Sequence, residues 1–215
     1  MPERGAFGRG AFGRGAHAHG AYARWGKRGF DIVGAILLLA LGLPLLAGTA
    51  LAVRLRLGRP VLFRQWRAGR DGVPFRLVKL RSMEDGAGGD AARLGPLGRA
   101  LRASALDELP QLFQVLSGRM SLVGPRPLLP EYGPRYTPRQ ATRLLVRPGL
   151  CGLAQSKGRN RVPWEERLEW DARYVERITF AGDLRILWDC ARMLWRGEGA
   201  TMPGHATTAR FDAPP

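Results

Sequence analysis

The chain has 215 residues, 45% of them hydrophobic, and sets 34 Lys and Arg against 18 Asp and Glu, a net charge of +16. That is enough for one domain with a real core plus appendages, and the charge asks for an anionic partner: nucleic acid, a phosphorylated metabolite or an anionic lipid surface. Two cysteines, Cys151 and Cys190, make no disulfide framework and fit a reducing compartment, and the three histidines, His17, His19 and His205, fall in low-complexity ends, so chemistry in the core is left to carboxylates.

Residues 1–24 repeat Ala-Phe-Gly-Arg-Gly and continue with Gly, Ala and His. They carry too little apolar side chain to offset ordering entropy and are expected to be disordered, without the apolar h-region of a cleaved signal peptide. From Ile32 to Val53 there are 22 residues without a charge, which meets the length of about 20 needed to reach across a bilayer core. Lys27 and Arg28 precede this run, and Arg54, Arg56 and Arg59 follow it. Both flanks therefore look cytoplasmic. With Pro44 near the centre as a kink, a re-entrant helix over 25–57 that enters and leaves on one face fits better than a straight span, which stays open as the alternative. Asp31 either pairs with a nearby cation or caps the helix start.

Two β-prone runs, Pro60 to Trp66 and Val73 to Leu80, flank Gly69-Arg70-Asp71-Gly72 and predict a hairpin, with Lys79 and Arg81 at its far end. Gly86 to Asp90 reads as a loop and lacks the ending of a P-loop. Next comes Ser104-Ala105-Leu106-Asp107-Glu108-Leu109-Pro110-Gln111. Pro110 and the apolar spacing of Leu109, Leu112, Phe113 and Leu116 place Asp107 and Glu108 in the first turn of a helix, where free N–H groups keep carboxylates ionised and attract phosphate and its counter-cation. Acidic residues favour any first helical turn, so the pair acquires meaning from its company. Further on, Arg147 to Gln155 and Gly158 to Asn160 form a Gly-rich basic loop suited to phosphate. Trp164 to Arg177 and Asp183 to Arg196 read as helices; the second is basic and amphipathic, and either lies in a membrane interface or packs on the core. Residues 197–215 read as a loose tail.

The ordered set Lys27-Arg28 with Asp31, Gly58 to Gln65, Phe75 with Lys79 to Met83, Leu101-Arg102 with Ser104 to Gln111, Met120 to Pro127, Arg147 to Gln155, and Asp171 with Tyr174-Val175 resembles the bacterial sugar transferases of the monotopic phosphoglycosyl transferase type. The likeness covers nearly the whole chain outside its tails. Departures are mild: Leu43-Pro44 where Ser-Pro is frequent, Gln114 for Asn, Cys151 for Thr and Leu80 for Phe. The large N-terminal membrane region of long family members is missing, so the likeness is to the minimal form.

The resemblance implies a mixed α/β (α+β) fold, with a small cytoplasmic catalytic domain over 58–196 of short strands and amphipathic helices. It implies transfer of a phosphosugar from a UDP-sugar to polyprenyl phosphate at the bacterial inner membrane, initiating exopolysaccharide or other glycan assembly. Asp107 matches the nucleophile that forms a covalent aspartyl-phosphosugar, and Glu108 its acidic partner. Both match the Mg²⁺ site, which is consistent with the preference of Mg²⁺ for one or two carboxylates plus substrate oxygens. Lys79, Arg81, Arg102, Arg126 with Pro127, Arg147 and Gln155 match the phosphate and nucleotide pocket, and Pro44 the membrane kink. The implied partners are the UDP-sugar, polyprenyl phosphate and membrane lipid; a homodimer stays open, and nucleic acid is not expected. The rival readings are an idle membrane scaffold and, from the Arg-Gly tail and the charge, a nucleic-acid binder.

Overall fold

The computed structural model describes residues 20–87, 89–196 and 211. The expected disorder of the N-terminal tail falls largely on residues 1–19, outside the described residues. Its boundary moves, because Tyr22 already packs on the core and its hydroxyl donates to Asp183 at 2.8 Å.

A π turn, Tyr22–Gly26, leads into helix α1, Lys27–Arg56. Its Leu- and Ala-rich run favours helix, and Pro44 lies inside it without ending it. Proline removes one N–H from the ladder, and the helix runs on through that gap. The Thr49 hydroxyl donates to the Leu45 carbonyl one turn earlier, at 2.6 Å. Among the described residues this is the one helix long and apolar enough to cross a membrane.

Both ends of α1 are fastened to the same body. Near its start, Arg28 donates to the carbonyls of Val115 and Leu116 at 2.7 and 2.8 Å. Asp31 lies inside the helix rather than capping it, accepts from Leu122 N–H and Ser121 Oγ at 3.0 and 2.9 Å, and stands 3.9 Å from Lys27. Gly34 permits this approach, since a Cβ there would meet Leu122 Cδ1 at 2.5 Å. Towards its end, Val53, Leu46 and Ala50 pack with Leu80 and Leu101, each fully buried side chain of this size contributing about 1.5–3 kcal/mol. Between these anchors Leu41 is 82% exposed.

Strands β1, Leu62–Ala68, and β2, Pro74–Leu80, form the expected antiparallel hairpin, with Phe63 opposite Lys79 and Trp66 opposite Arg76. Its turn places Asp71 and Gly72 at positive φ, as an Asp-Gly turn allows. Helices α2, Asp90–Arg93, and α3, Pro96–Ser104, follow, then α4, Gln111–Leu116. Gln114 bonds β2 as a neighbouring strand would, accepting from Val78 N–H at 3.0 Å and donating to the Arg76 carbonyl at 2.7 Å.

Strand β3, Ser121–Val123, pairs in parallel with β4, Gly149–Cys151, after the short helix α5, Pro138–Ala141. A Cβ on Gly149 would collide with the Gly124 backbone, which is why this crossing needs glycine. The segment read as one Gly-rich basic loop is instead β4, helix α6 Leu153–Ser156 and a 3₁₀ turn over Arg159–Arg161. Helices α7, Trp164–Glu176, and α8, Phe180–Trp195, close the domain. Helix α8 packs on the core through Ile186 and Cys190, while Trp188 and Trp195 on it are exposed.

The tail expectation for 197–215 is corrected at one place. Phe211 is buried among Tyr132, Trp164 and Leu168, while 197–210 and 212–215 lie outside the described residues.

Candidate active site

Helix α3 ends because Ala105 takes a left-handed conformation, φ 56° and ψ 19°. A side chain there costs about 1–2 kcal/mol. The chain then makes a 3₁₀ turn, Leu106–Glu108, before Pro110 admits α4. Asp107 and Glu108 therefore stand in a 3₁₀ turn ahead of the helix, and not in its first α turn as the sequence pattern suggested. Pro110 occupies the N-cap position, and a helix of six residues offers little dipole.

The turn sends the two carboxylates to different partners. Asp107, 3% exposed, has Oδ2 at 3.7 Å from Lys79 Nζ of β2. Glu108 takes a guanidinium fork from Arg126, at 2.5 and 3.3 Å. Burial, and secondarily the charge of Glu108, pushes the Asp107 carboxyl above the ordinary carboxylate range, while Lys79, Arg102 and Arg126 pull it back. Burial likewise lowers Lys79, against the pull of Asp107. So it is the neighbouring cations, rather than a helix start, that favour an ionised Asp107.

The other residues singled out from sequence separate into groups. Arg102 lies within electrostatic reach of Asp107, and its Nε donates to Ser82 Oγ at 3.0 Å. The Pro127 carbonyl accepts from Arg67 at 3.3 Å. Gln155 lines the cleft described below. Arg81 ties the end of α1 to the strand that follows, donating to the Leu57 and Arg59 carbonyls and, at 2.6 Å, to Asp85. Arg147 turns away, towards the Gly118 carbonyl at 2.9 Å. Neither of these two arginines lines the cleft.

That cleft is a cavity of about 410 Å³. One wall is apolar and includes Leu38 and Leu41 of the long helix; the other carries Glu108, Arg126, Arg167 and Asp171. Sequence reading quoted Asp171 for the resemblance but gave it no role, and missed Arg167 and also Arg143, which binds Asp171 Oδ2 through Nε and Nη2 at 3.1 and 2.8 Å and the Arg126 carbonyl at 2.6 Å. A signal was there: Leu168, Asp171, Ala172 and Val175 share one helical stripe, so a carboxylate interrupts an apolar face. Burial, with Arg126 nearby, lowers the Arg167 guanidinium to about 10. Cys151 and Cys190 meet at the cleft wall, and their mutual hydrogen bond and burial push the Cys151 thiol up, which keeps it a poor nucleophile.

No group of three or more His, Cys, Asp or Glu gathers among the described residues. Two adjacent carboxylates suit a hard cation that completes its shell with substrate oxygens and water, as Mg²⁺ does, and do not suit a closed zinc site.

The family model for bacterial sugar transferases matches residues 22–197. An uncharacterized sugar transferase, EpsL, of Bacillus subtilis is 44% identical over 191 residues, covering 86% of this chain and 95% of that protein. The UDP-glucose:undecaprenyl-phosphate glucose-1-phosphate transferase of Caulobacter vibrioides is 43% identical over 177 residues, 75% of this chain and 66% of the relative. The undecaprenyl-phosphate galactose phosphotransferase of Salmonella typhimurium is 36% identical over 201 residues, 83% of this chain and 42% of its own length. This chain thus spans nearly all of the first relative and only part of the other two.

Proposed function

This chain belongs to the bacterial sugar transferase family, and we propose that it is a phosphoglycosyl transferase that moves a phosphosugar from a UDP-sugar to a polyprenyl phosphate. The observation that carries the reading is the cleft itself: Glu108, held by Arg126, lines it together with leucines of an apolar helix, and Asp107, adjacent to Glu108 in the chain and 3.7 Å from Lys79, stands next to that lining without being part of it. Such a cavity suits two ligands that have only a phosphate in common, one soluble and one greasy.

In the first step an oxygen of ionised Asp107 forms a bond to the β-phosphorus of the donor. The bond from that phosphorus to the bridging oxygen breaks, and UMP leaves with the electron pair. Lys79 and Arg102 offset the charge that otherwise repels one anion from another. Mg²⁺, held by Asp107 and Glu108, would supply further neutralisation of phosphate charge. In the second step an oxygen of polyprenyl phosphate attacks the same phosphorus and Asp107 is released. Glu108, oriented by the Arg126 fork, is the group that takes the acceptor's proton where one is present.

The long helix enters and leaves the cytoplasmic leaflet of the inner membrane, with the catalytic domain on the cytoplasmic face. Its two basic flanks and the anchoring of both ends on one body support that placement. The product feeds glycan assembly.

The test is release of UMP from a panel of UDP-sugars by protein held in detergent or nanodiscs, with and without Mg²⁺ and polyprenyl phosphate, beside Asp107→Asn. Turnover that needs the metal, the lipid phosphate and Asp107 establishes the reaction and names the sugar. Silence from folded protein across the panel makes the scaffold reading the better one.

A further inference from the structure

The cleft is not uniformly cationic. At the wall built by α6 and α7, two buried oxygens, Gln155 Oε1 and Asp171 Oδ1, have no hydrogen-bond partner among the described residues, although both residues line the cavity. Asp171 is 1% exposed, and its other oxygen is already bound by Arg143. Gln155 has committed its amide nitrogen to the Leu150 carbonyl at 3.2 Å. What remains at both positions is an acceptor.

Buried acceptors without donors are costly, and native proteins hold few of them. Two on one cavity wall point to a ligand that brings the donors. A phosphate at neutral pH offers chiefly acceptors, and a polyprenyl chain offers neither kind of group, so these oxygens do not serve the phosphates or the lipid. Arg126 and Arg167, on the same cavity, are the phosphate-compatible groups. A pair of adjacent hydroxyls brings two donors to the two acceptors of this cavity, and a carboxylate oxygen is a strong acceptor for a hydroxyl.

We infer that Asp171 Oδ1 and Gln155 Oε1 form a subsite for a vicinal diol of the sugar-nucleotide donor, an assignment that rests on the transferase reading above. Asp171 is held for the task by the Arg143 fork, and Arg143 also holds the Arg126 carbonyl at 2.6 Å, so the diol site and the phosphate site share one support. Gly152 leaves the space that Gln155 needs: a Cβ there would stand 3.1 Å from Oε1. Both the ribose of the nucleotide and the hexose carry such a diol, and ligand analogues separate them.

The experiment measures binding by calorimetry to detergent-held wild type, Gln155→Met and Asp171→Asn. The ligands are UMP, 2′-deoxy-UMP, UDP, UDP-glucose and inorganic pyrophosphate. If the ribose supplies the diol, wild type prefers UMP over 2′-deoxy-UMP by about tenfold or more, and Gln155→Met erases most of that preference while binding pyrophosphate as wild type does. If the hexose supplies it, the two monophosphates bind alike, UDP-glucose binds more tightly than UDP, and Gln155→Met erases that difference instead. Asp171→Asn should follow Gln155→Met; because Asp171 also serves Arg143, Gln155→Met decides if Asp171→Asn does not fold. Wild type that turns over UDP-sugars while Gln155→Met keeps both preferences, or loses pyrophosphate binding in step with them, overturns the subsite alone. Wild type that binds none of these ligands overturns it together with the transferase reading.

Discussion

Lys79 Nζ faces Asp107 Oδ2 across 3.7 Å in a site where each charge is short of water. Burial raises the carboxyl and lowers the ammonium, so both titrate nearer to neutrality than free side chains do. In the proposed reaction the nucleophile is lost as pH falls through the raised Asp107 value, and the cation is lost as pH rises through the lowered Lys79 value. The pH profile of UMP release should therefore be narrower on both sides than ordinary Asp and Lys would give. Lys79→Met removes the pull on Asp107, so the acid limb moves to higher pH and the alkaline limb attributed to Lys79 disappears. An acid limb that stays in place in Lys79→Met would disconnect the two residues.

The same shift fixes the sign of a stability effect. Between its ordinary carboxylate value and the raised folded value, Asp107 binds a proton in the folded chain and not in the unfolded one. Stability therefore falls as pH rises through that window and stays lower above it. Asp107→Asn should lower turnover by roughly 10⁴-fold or more and raise the melting temperature at neutral pH. The gain should vanish below the ordinary carboxylate range, about pH 3–4. Thermal melts at pH 3 and pH 7.5 check both parts.

Local patterns made some of this legible from sequence. The hairpin showed through its Asp-Gly turn, the long helix through its uncharged run, and the Asp107–Glu108 pair through its motif. What stayed hidden depends on contacts distant in the chain. Arg143 and Asp171 meet across 28 positions, and no periodicity joins a buried arginine of one turn to a buried carboxylate of another. The resemblance puts Arg81 and Arg147 at the phosphate pocket, and in the structure each holds a backbone carbonyl. The first helical turn predicted for the carboxylates became a 3₁₀ turn because Ala105 reverses the backbone just before it.

Helix placement is open to chemical labelling. Arg28 holds carbonyls of α4 near the start of α1, and Arg81 holds the Leu57 carbonyl just past its end. Both ends should then face the cytoplasm. In a background without Cys151 and Cys190, Gly20→Cys and Arg59→Cys should each react with an impermeant maleimide in inverted vesicles and neither in intact cells. Labelling of one end from each side would establish a straight span, and would require the domain contacts of one end to break. Asp31→Ala, which strands Leu122 N–H while Ser121 Oγ keeps the Val123 carbonyl, should cost about 1–3 kcal/mol for the group left unpaired. It should show as a lower melting temperature with membrane retention unchanged.

Phe211 lies beyond the residues matched by the family, yet its ring meets Trp164, Tyr132 and Tyr136 at 5.4, 5.5 and 5.9 Å between centroids. Its carbonyl accepts from Arg135 at 2.9 Å, and its N–H donates to the Tyr132 hydroxyl at 3.4 Å. Two of these rings support arginines of the cleft and its backing: Arg167, which lines it, stacks on Trp164 at 4.4 Å, and Arg143, which holds Asp171, donates to the Tyr136 hydroxyl at 3.3 Å. Loss of the ring should therefore reach the cleft without touching Asp107. Phe211→Ala is expected to raise KM for the UDP-sugar by up to about tenfold, the scale on which small misplacements of binding groups act, with a smaller change in kcat. Phe211→Leu, which refills part of the pocket, should recover part of the KM. Hydrogen exchange adds a readout independent of turnover, with faster exchange in 130–136 and 164–176 and none in the hairpin. An unchanged KM in a Phe211→Ala protein whose α7 exchanges faster would show that the ring fills its pocket without positioning the arginines.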